Sequence, residues 1–156
     1  MSKDALMSKD AHQHILELPR KLSQLDLTEK TNKVKFVYLH GDRLYTEAGE
    51  TLYVYSVADV SSPLATFPLD DHCFSGIICD SRLYLGTENM KLHIFEVTSS
   101  PTSPQQPPLT LATVIETHGQ VFKMVKIGQE LLMCEDPRYL QILDTTNSKI
   151  TGTHKF

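Results

Sequence analysis

The same pair of apolar runs occurs three times along the chain, and short turns separate the runs. The first runs begin at Leu44, Leu83 and Leu131, and the second runs begin at Leu52, Leu92 and Leu140. A period of about 40–50 residues with four strand-like runs in each period is typical of the blades of a β-propeller. Because such a unit cannot bury its apolar faces alone, it needs neighbouring units to stack against.

Four strand-like runs can be placed in each repeat. In the run 51–57, Leu52 and Val54 alternate with Tyr53 and Tyr55, so both faces carry bulky side chains, as expected of a blade between two neighbours. We predict strands at residues 34–39, 44–47, 51–57 and 64–69, then 73–79, 83–87, 91–97 and 109–116, then 121–127, 131–134, 139–144 and 149–153. The sequence thus predicts an all-β fold, an incomplete β-propeller of about three four-stranded antiparallel blades.

The repeats divide the chain into an N-terminal tail and three blades. We predict the tail at 1–33, blade 1 at 34–71, blade 2 at 72–118 with a proline-rich loop at 99–108, and blade 3 at 119–156 together with the start of a further blade. The tail carries apolar residues at helical spacing, but Pro19 interrupts that stripe. We interpret the tail as loosely ordered, with a short helix or an edge strand at 14–18 as alternatives.

Composition and charge exclude several classes of protein. The net charge of −4 argues against a nucleic-acid-binding surface, which needs a basic patch. No apolar run approaches the roughly 18 residues of a membrane span, and the N-terminus lacks the apolar stretch of a secretory signal. The 3 cysteines form no paired framework, which fits a reducing compartment. We therefore expect a cytoplasmic protein that binds neither nucleic acid nor membranes.

The repeats resemble the LVIVD family, whose propeller repeats are related to WD40-like blades. The stretches similar to the family's name-giving motif are Leu140-Gln141-Ile142-Leu143-Asp144 and Leu92-His93-Ile94-Phe95-Glu96, and Asp59-Val60-Ser61-Ser62-Pro63 is similar to the segment that follows it. The first repeat departs from the pattern with Ser56 where an acid is expected, and the chain has no Trp, so the Trp-Asp ending of true WD40 blades is absent. The resemblance covers about residues 34–156. It implies a scaffold for binding or display without catalytic residues.

Three blades are fewer than the four to eight that close a propeller. The final His154-Lys155-Phe156 is similar to His72-Cys73-Phe74 at the start of the second repeat, and we interpret it as the first residues of a fourth blade. Uncovered blade faces and strand edges promote association. Three alternatives follow: the chain is part of a longer propeller, a protein partner or a second copy covers its open faces, or the fold is a different β fold.

Three histidines are the candidate metal ligands. His72, His118 and His154 each lie near the junction between a fourth strand and the next first strand, and imidazoles that converge there could bind Zn²⁺. Their separation matches no recognised ligand spacing, so a structural role in each blade is the favoured interpretation. The sequence also lacks a phosphate loop, a nucleophile elbow and a dinucleotide fingerprint. We therefore expect no catalytic residues, no metal and no cofactor.

The cysteines and the acid pairs are interpreted as structural. Cys73 and Cys79 are too far apart on one extended strand to form a disulfide, and we expect all three cysteines to be small buried side chains. The pairs Asp70-Asp71 and Glu135-Asp136 are attributed to turns and solvation, because adjacent carboxylates in a loop seldom face one substrate.

The loop at 99–108 is the candidate partner-binding segment. Pro101, Pro104 and Pro107 form overlapping P-x-x-P cores of the kind that bind to aromatic grooves. Without a nearby Lys or Arg the match is incomplete, and an inert surface insertion is the alternative.

From these observations we predict a non-enzymatic protein–protein interaction scaffold that uses rim loops and this insertion. The alternative is part of a quinoprotein-like or hydrolase propeller enzyme whose site lies mostly outside this chain. An enzyme should gather polar side chains from several blades around one pocket, whereas a scaffold should present a broad rim or face.

Overall fold

The computed structural model describes residues 34–98, 107–136 and 138–156. Their twelve strands form three four-stranded sheets, in each of which consecutive strands pair antiparallel. The chain divides into two compact units, one ending at Leu69 and the other beginning at Asp70. In these ranges no helix is long and apolar enough to cross a membrane.

The first unit contains one sheet in the order β1-β2-β3-β4. Its strands are β1 (Val34–His40), β2 (Arg43–Ala48), β3 (Thr51–Ser56) and β4 (Ala65–Pro68). The turn between β2 and β3 places Gly49 at a φ of 57° and Glu50 at 65°, and a tight two-residue hairpin turn requires such positive φ angles. On one face of the sheet Leu44 and Tyr55 pack with Val57 and Val60 of the following loop.

The second unit contains two sheets. The second sheet consists of β5 (Cys73–Cys79), β6 (Arg82–Thr87), β7 (Lys91–Val97) and β8 (Leu109–Glu116), and the third of β9 (Gln120–Ile127), β10 (Glu130–Asp136), β11 (Tyr139–Asp144) and β12 (Lys149–Lys155).

A bulge recurs at the same place in the first strand of every sheet. The register shifts between Val34 and Phe36 in β1, between Cys73 and Ser75 in β5, and opposite Cys134 and Glu135 in β9. The bulges bring Phe74 and Phe122 into a stack with 5.2 Å between ring centroids. This shared irregularity shows that the three sheets are copies of one structural unit.

The core of the second unit forms where the second and third sheets pack face to face. Buried side chains of both sheets make one cluster: Tyr84, Leu92 and Ile94 from the second sheet, and Val121, Leu131, Met133 and Leu143 from the third. Four hydrogen bonds among the described residues cross the contact. Two run from the second sheet, from Ser75 Oγ to the Val121 carbonyl at 2.6 Å and from Arg82 Nη1 to the Thr145 carbonyl at 2.9 Å. Two run from the third sheet, from Gln120 Nε2 to the Glu88 carbonyl at 3.0 Å and from Lys126 Nζ to the Asp80 carboxylate at 2.6 Å. The backbones approach so closely that a Cβ at Gly86 would lie 2.6 Å from that of Val121.

The prediction of four strands per repeat is confirmed, and most strand ends lie within one or two residues of the predicted positions. The first unit ends at Leu69, two residues before the predicted boundary at 71. The interpretation of His154 as the start of a further blade is wrong. β12 continues to Lys155, and His154 pairs with Leu140 inside the third sheet.

Candidate protein interface

Buried polar side chains hold the connections between strands of the second unit. Asp71, in the connection before β5, is 4% exposed. Its carboxylate accepts the His72 amide at 2.9 Å and the Asn89 amide at 3.2 Å, so it ties this connection to the turn between β6 and β7. Nearby in β7, burial lowers the pKa of His93, and the negative charge of Asp71 partly offsets that shift.

Glu135 plays the corresponding part in the third sheet. It is 3% exposed, and its Oε1 accepts the Gly119 amide at 2.8 Å. Its Oε2 has no hydrogen-bond partner among the described residues. Burial raises the pKa of Glu135, and hydrogen bonds from the amides of Gly119 and His118 oppose the shift.

Gln141 of β11 is a third buried polar side chain that binds a strand connection. The Oε1 of Gln141 accepts the His118 amide at 3.2 Å, and its Nε2 donates to Thr153 Oγ1 at 3.1 Å. Gln141 pairs with Met133, as His93 pairs with Leu85, so the two occupy equivalent positions of their sheets. Asp71, Glu135 and Gln141 each accept at least one backbone amide of a strand connection or turn.

The acid pairs differ from the prediction. In each pair one member is buried and the other exposed: Asp71 and Glu135 are buried, whereas Asp70 and Asp136 are exposed. The attribution to solvation is therefore wrong for Asp71 and Glu135. The attribution to turns fits, because each buried carboxylate accepts the amide of a turn or a strand connection. The sequence does contain a signal for buried polar groups in these sheets: a polar residue, His93 or Gln141, stands at the same position of two otherwise apolar runs.

The candidate histidines do not assemble into a metal site. The described residues contain no group of three or more His, Cys, Asp or Glu side chains able to hold an ion. His118 stacks on Tyr139 with 5.1 Å between centroids, and His154 meets Phe156 edge-on at 4.7 Å. The amide of His72 donates to Asp71.

The three cysteines are free, and only Cys73 is fully buried. Cys79 is half-buried and Cys134 is exposed, so the expectation that all three are buried is wrong. Cys134 follows Met133 in β10, and its side chain lies on the opposite face of the third sheet from the core.

The proline-rich loop is described only at its end. Pro101 and Pro104 lie outside the described residues, while Pro107 is exposed. The Thr98 amide donates to the Pro108 carbonyl at 2.9 Å, so the two ends of the insertion are joined beside β7 and β8.

An apolar surface lies on the face of the third sheet that points away from the second sheet. We call it the open face. Its central row consists of Val125, Leu132 and Ile142, which pair across β9, β10 and β11. It also includes Ile127, Cys134 and Leu140.

The open face occupies the same positions as a buried face of the second sheet. There the row of Ile77, Tyr84 and Ile94 pairs across β5, β6 and β7 and packs against the third sheet. On the open face Val125 is 54% exposed and Ile127 is 58% exposed, whereas their counterparts Ile77 and Cys79 are half-buried against the third sheet. Ile142 is half-buried, and its counterpart Ile94 is 0% exposed. The apolar pattern of the contact between the second and third sheets is thus repeated on the opposite face of the third sheet, where no other described strand of the second unit packs.

No protein-family model matches the sequence, and no curated protein matches it. Solved structures do match. The WD40 repeats of RRP9 superpose with a TM-score of 0.66 at 12% identity, over 83% of this chain and 41% of that one. The β-propeller domain of Cps50 (Swd1) from Myceliophteria thermophila gives 0.65 at 11% identity, over 80% and 43% of the two chains.

The chain has the fold of an incomplete, open β-propeller. The three sheets are therefore blades, as the sequence predicted, and we call them blades 1, 2 and 3. BamB from Moraxella catarrhalis also matches, with a TM-score of 0.60 at 13% identity, over 78% of this chain and 34% of that one. The chain thus spans less than half the length of these structures, and at such identities the likeness concerns the fold alone.

Proposed function

We propose that this chain is a non-enzymatic protein–protein interaction module that binds another polypeptide through the open face of blade 3. The observation that supports the proposal most strongly is the apolar row Val125–Leu132–Ile142. Val125 is exposed and the other two are half-buried, whereas the equivalent row of blade 2 packs against a neighbouring blade. Burying one Val or Ile side chain contributes about 1.5–3 kcal/mol, so covering this row is favourable.

The composition of the open face fits a protein partner. Its centre is aliphatic, and charged residues stand at its border: Lys123 beside Cys134, and Glu130 paired with Asp144. An apolar centre inside a polar rim is the usual arrangement of protein interfaces. Large apolar patches on a protein surface commonly mark such sites.

We propose no catalytic role for the buried polar residues of the second unit. Asp71, Glu135 and Gln141 accept backbone amides of the strand connections, so their hydrogen-bonding capacity serves the fold. The free cysteines support a reducing compartment such as the cytoplasm. A relation of the repeats to the LVIVD family remains a prediction that rests on the runs at 92–96 and 140–144.

Cys134 provides a direct test, because its exposed thiol lies on the open face. We expect a small alkylating reagent to modify Cys134 in a cell extract at least about tenfold more slowly than in dilute purified protein, a protection equivalent to about 1.4 kcal/mol. The matched control is a Leu111→Cys variant, since Leu111 of β8 is also exposed, at 50%, and lies outside the open face. Equal rates for Cys134 in extract and in dilute solution would contradict the proposed function.

A further inference from the structure

The first blade carries an exposed apolar surface that matches the open face of the third. In the first unit, the large apolar side chains described as exposed are Val34, Val37, Leu39 and Leu64. Val37 pairs with Thr46 and Leu39 pairs with Leu44, so both side chains lie on the same face as Leu44. We call Val34, Val37 and Leu39 the front surface of β1.

The front surface of β1 is equivalent to the surface by which β9 packs on blade 2. Val34, Val37 and Leu39 pair with Ala48, Thr46 and Leu44 in blade 1. Val121, Met124 and Lys126 pair in the same order with Glu135, Met133 and Leu131 in blade 3. Val121 and Met124 pack in the core between blades 2 and 3. β1 therefore presents the same positions that complete a contact between blades, but leaves them exposed.

The ion pair between blades 2 and 3 is replaced by uncharged residues at the equivalent positions of the two exposed surfaces. Between blades 2 and 3, Lys126 Nζ lies 2.6 Å from Asp80 in the β5–β6 turn. Leu39 stands at the position of Lys126 on the front surface of β1. On blade 3, Gly128 of the β9–β10 turn stands at the position of Asp80. An apolar residue would thus face a turn without a charge, so no unpaired ion is buried at this position.

Only some of the hydrogen bonds between blades 2 and 3 would have an equivalent between the open face and the front surface of β1. Ser75 Oγ donates to the Val121 carbonyl in the existing contact, and Lys123, at the position of Ser75, can donate to the equivalent carbonyl of Val34. Glu130 stands where Arg82 donates to the Thr145 carbonyl, so this second hydrogen bond has no counterpart. Apolar packing would therefore supply most of the affinity.

We infer that a second copy of this chain occupies the open face, with the front surface of its β1 packed on β9, β10 and β11. This inference rests on the proposed function and names the partner. The contact is head-to-tail, because two different surfaces meet, and such contacts either close into a ring or continue as an open chain. Two chains supply six blades, which lies within the four to eight that close a propeller.

The test uses the mass in solution of two variants, alone and mixed. Val125→Asp places a charge on the open face, and Val37→Asp places one on the front surface of β1. Light scattering on a sizing column should give a multiple of the 17.6 kDa chain for the wild type and the single-chain mass for each variant alone. The mixture should assemble again, because the Val125→Asp chain retains a normal β1 and the Val37→Asp chain retains a normal open face.

Three results would overturn the inference. One is a wild type that keeps the mass of one chain as its concentration rises; slow alkylation of Cys134 in cell extract would then show that the proposed function holds with a different partner. Another is a Val37→Asp chain that assembles like the wild type while Val125→Asp does not, since this would mean that open faces pair with each other. The third is a mixture that stays at the mass of one chain.

Two further variants and a control keep the result independent of folding defects. Ile127→Asp and Leu39→Asp change neighbouring positions of the same two surfaces and should repeat the pattern. Leu111→Asp, on the exposed part of β8, should assemble like the wild type. Far-ultraviolet circular dichroism of each variant checks that its sheets are formed.

Discussion

At the scale of single residues, Glu135 is a buried carboxyl whose charge the fold disfavours. Its carboxyl is buried in β10 and its Oε1 accepts the Gly119 amide, while burial raises its pKa. The folded state therefore keeps the Glu135 proton to a higher pH than the unfolded state, whose pKa is about 4.3. The resulting contribution to stability is complete below that value and is lost as the pH rises through the folded pKa.

Replacing the carboxyl by an amide should remove this loss. We expect Glu135→Gln to gain stability relative to the wild type as the pH rises from about 4 to about 7, because Gln accepts the Gly119 hydrogen bond without a charge. Urea unfolding at several pH values measures the difference. A Gln variant whose stability relative to the wild type does not change with pH would contradict this account.

Glu135→Ala separates the hydrogen bond from the charge. It leaves the Gly119 amide buried without its acceptor, so we expect a loss of roughly 1–3 kcal/mol in the free energy of unfolding at neutral pH. If the Gln variant loses as much as the Ala variant at neutral pH, the carboxylate itself is what the connection between β8 and β9 needs.

At the scale of strands, the contact between β6 and β9 depends on the missing side chain of Gly86. A Cβ there would lie 2.6 Å from the Cβ of Val121 and 2.8 Å from Ser75 Oγ. The crowding involves Cβ atoms and a backbone carbonyl, which cannot rotate away. Gly86→Ala should therefore force blades 2 and 3 apart and cost about 1–3 kcal/mol.

Gly152→Ala is the matched control for this prediction. It lies in β12 of blade 3, where a new Cβ would meet Ile142 Cδ1 at 3.5 Å, an ordinary contact. Thermal or urea unfolding of both variants should show a loss for Gly86→Ala and little change for Gly152→Ala. A Gly86→Ala protein as stable as the control would contradict the close packing of β6 on β9.

Sequence patterns predicted the strands because alternation and turn residues act locally. Cys73–Cys79, Lys91–Val97, Leu109–Glu116 and Tyr139–Asp144 coincide with their predicted ranges. The similarity of His154-Lys155-Phe156 to the start of a repeat was misleading, because composition does not fix register and His154 pairs inside β12. Local patterns give the existence of a strand more securely than its end.

The site was less predictable than the strands, because burial depends on what packs against a face. Asp71 and Glu135 are part of acidic dipeptides that look like solvated turns, and only the fold shows that each binds a distant amide. The sequence suggested uncovered faces in general. It could not show that Val125 and Ile127 are exposed while Ile77 and Cys79 pack against a neighbouring blade, because both pairs occupy alternate positions near the end of the first strand of a repeat.

At the scale of the whole molecule, the three blades are one unit repeated, and their faces differ mainly in what covers them. Blade 3 buries Leu131, Met133 and Leu143 against blade 2 and exposes the opposite face. A propeller blade is stable with both faces covered, so an uncovered face is the natural place for a partner.

The most direct test of this account is the exposure of methyl groups to a soluble paramagnetic agent, measured by NMR at a concentration where the chain is a single copy. The account predicts strong relaxation for the methyl groups of Val125 and Ile127 on the open face. It predicts protection for those of Ile94 and Leu92 at the contact between blades 2 and 3. Equal protection of the two sets in the single chain would contradict the open face, and equal exposure would contradict the packing of blade 2 on blade 3.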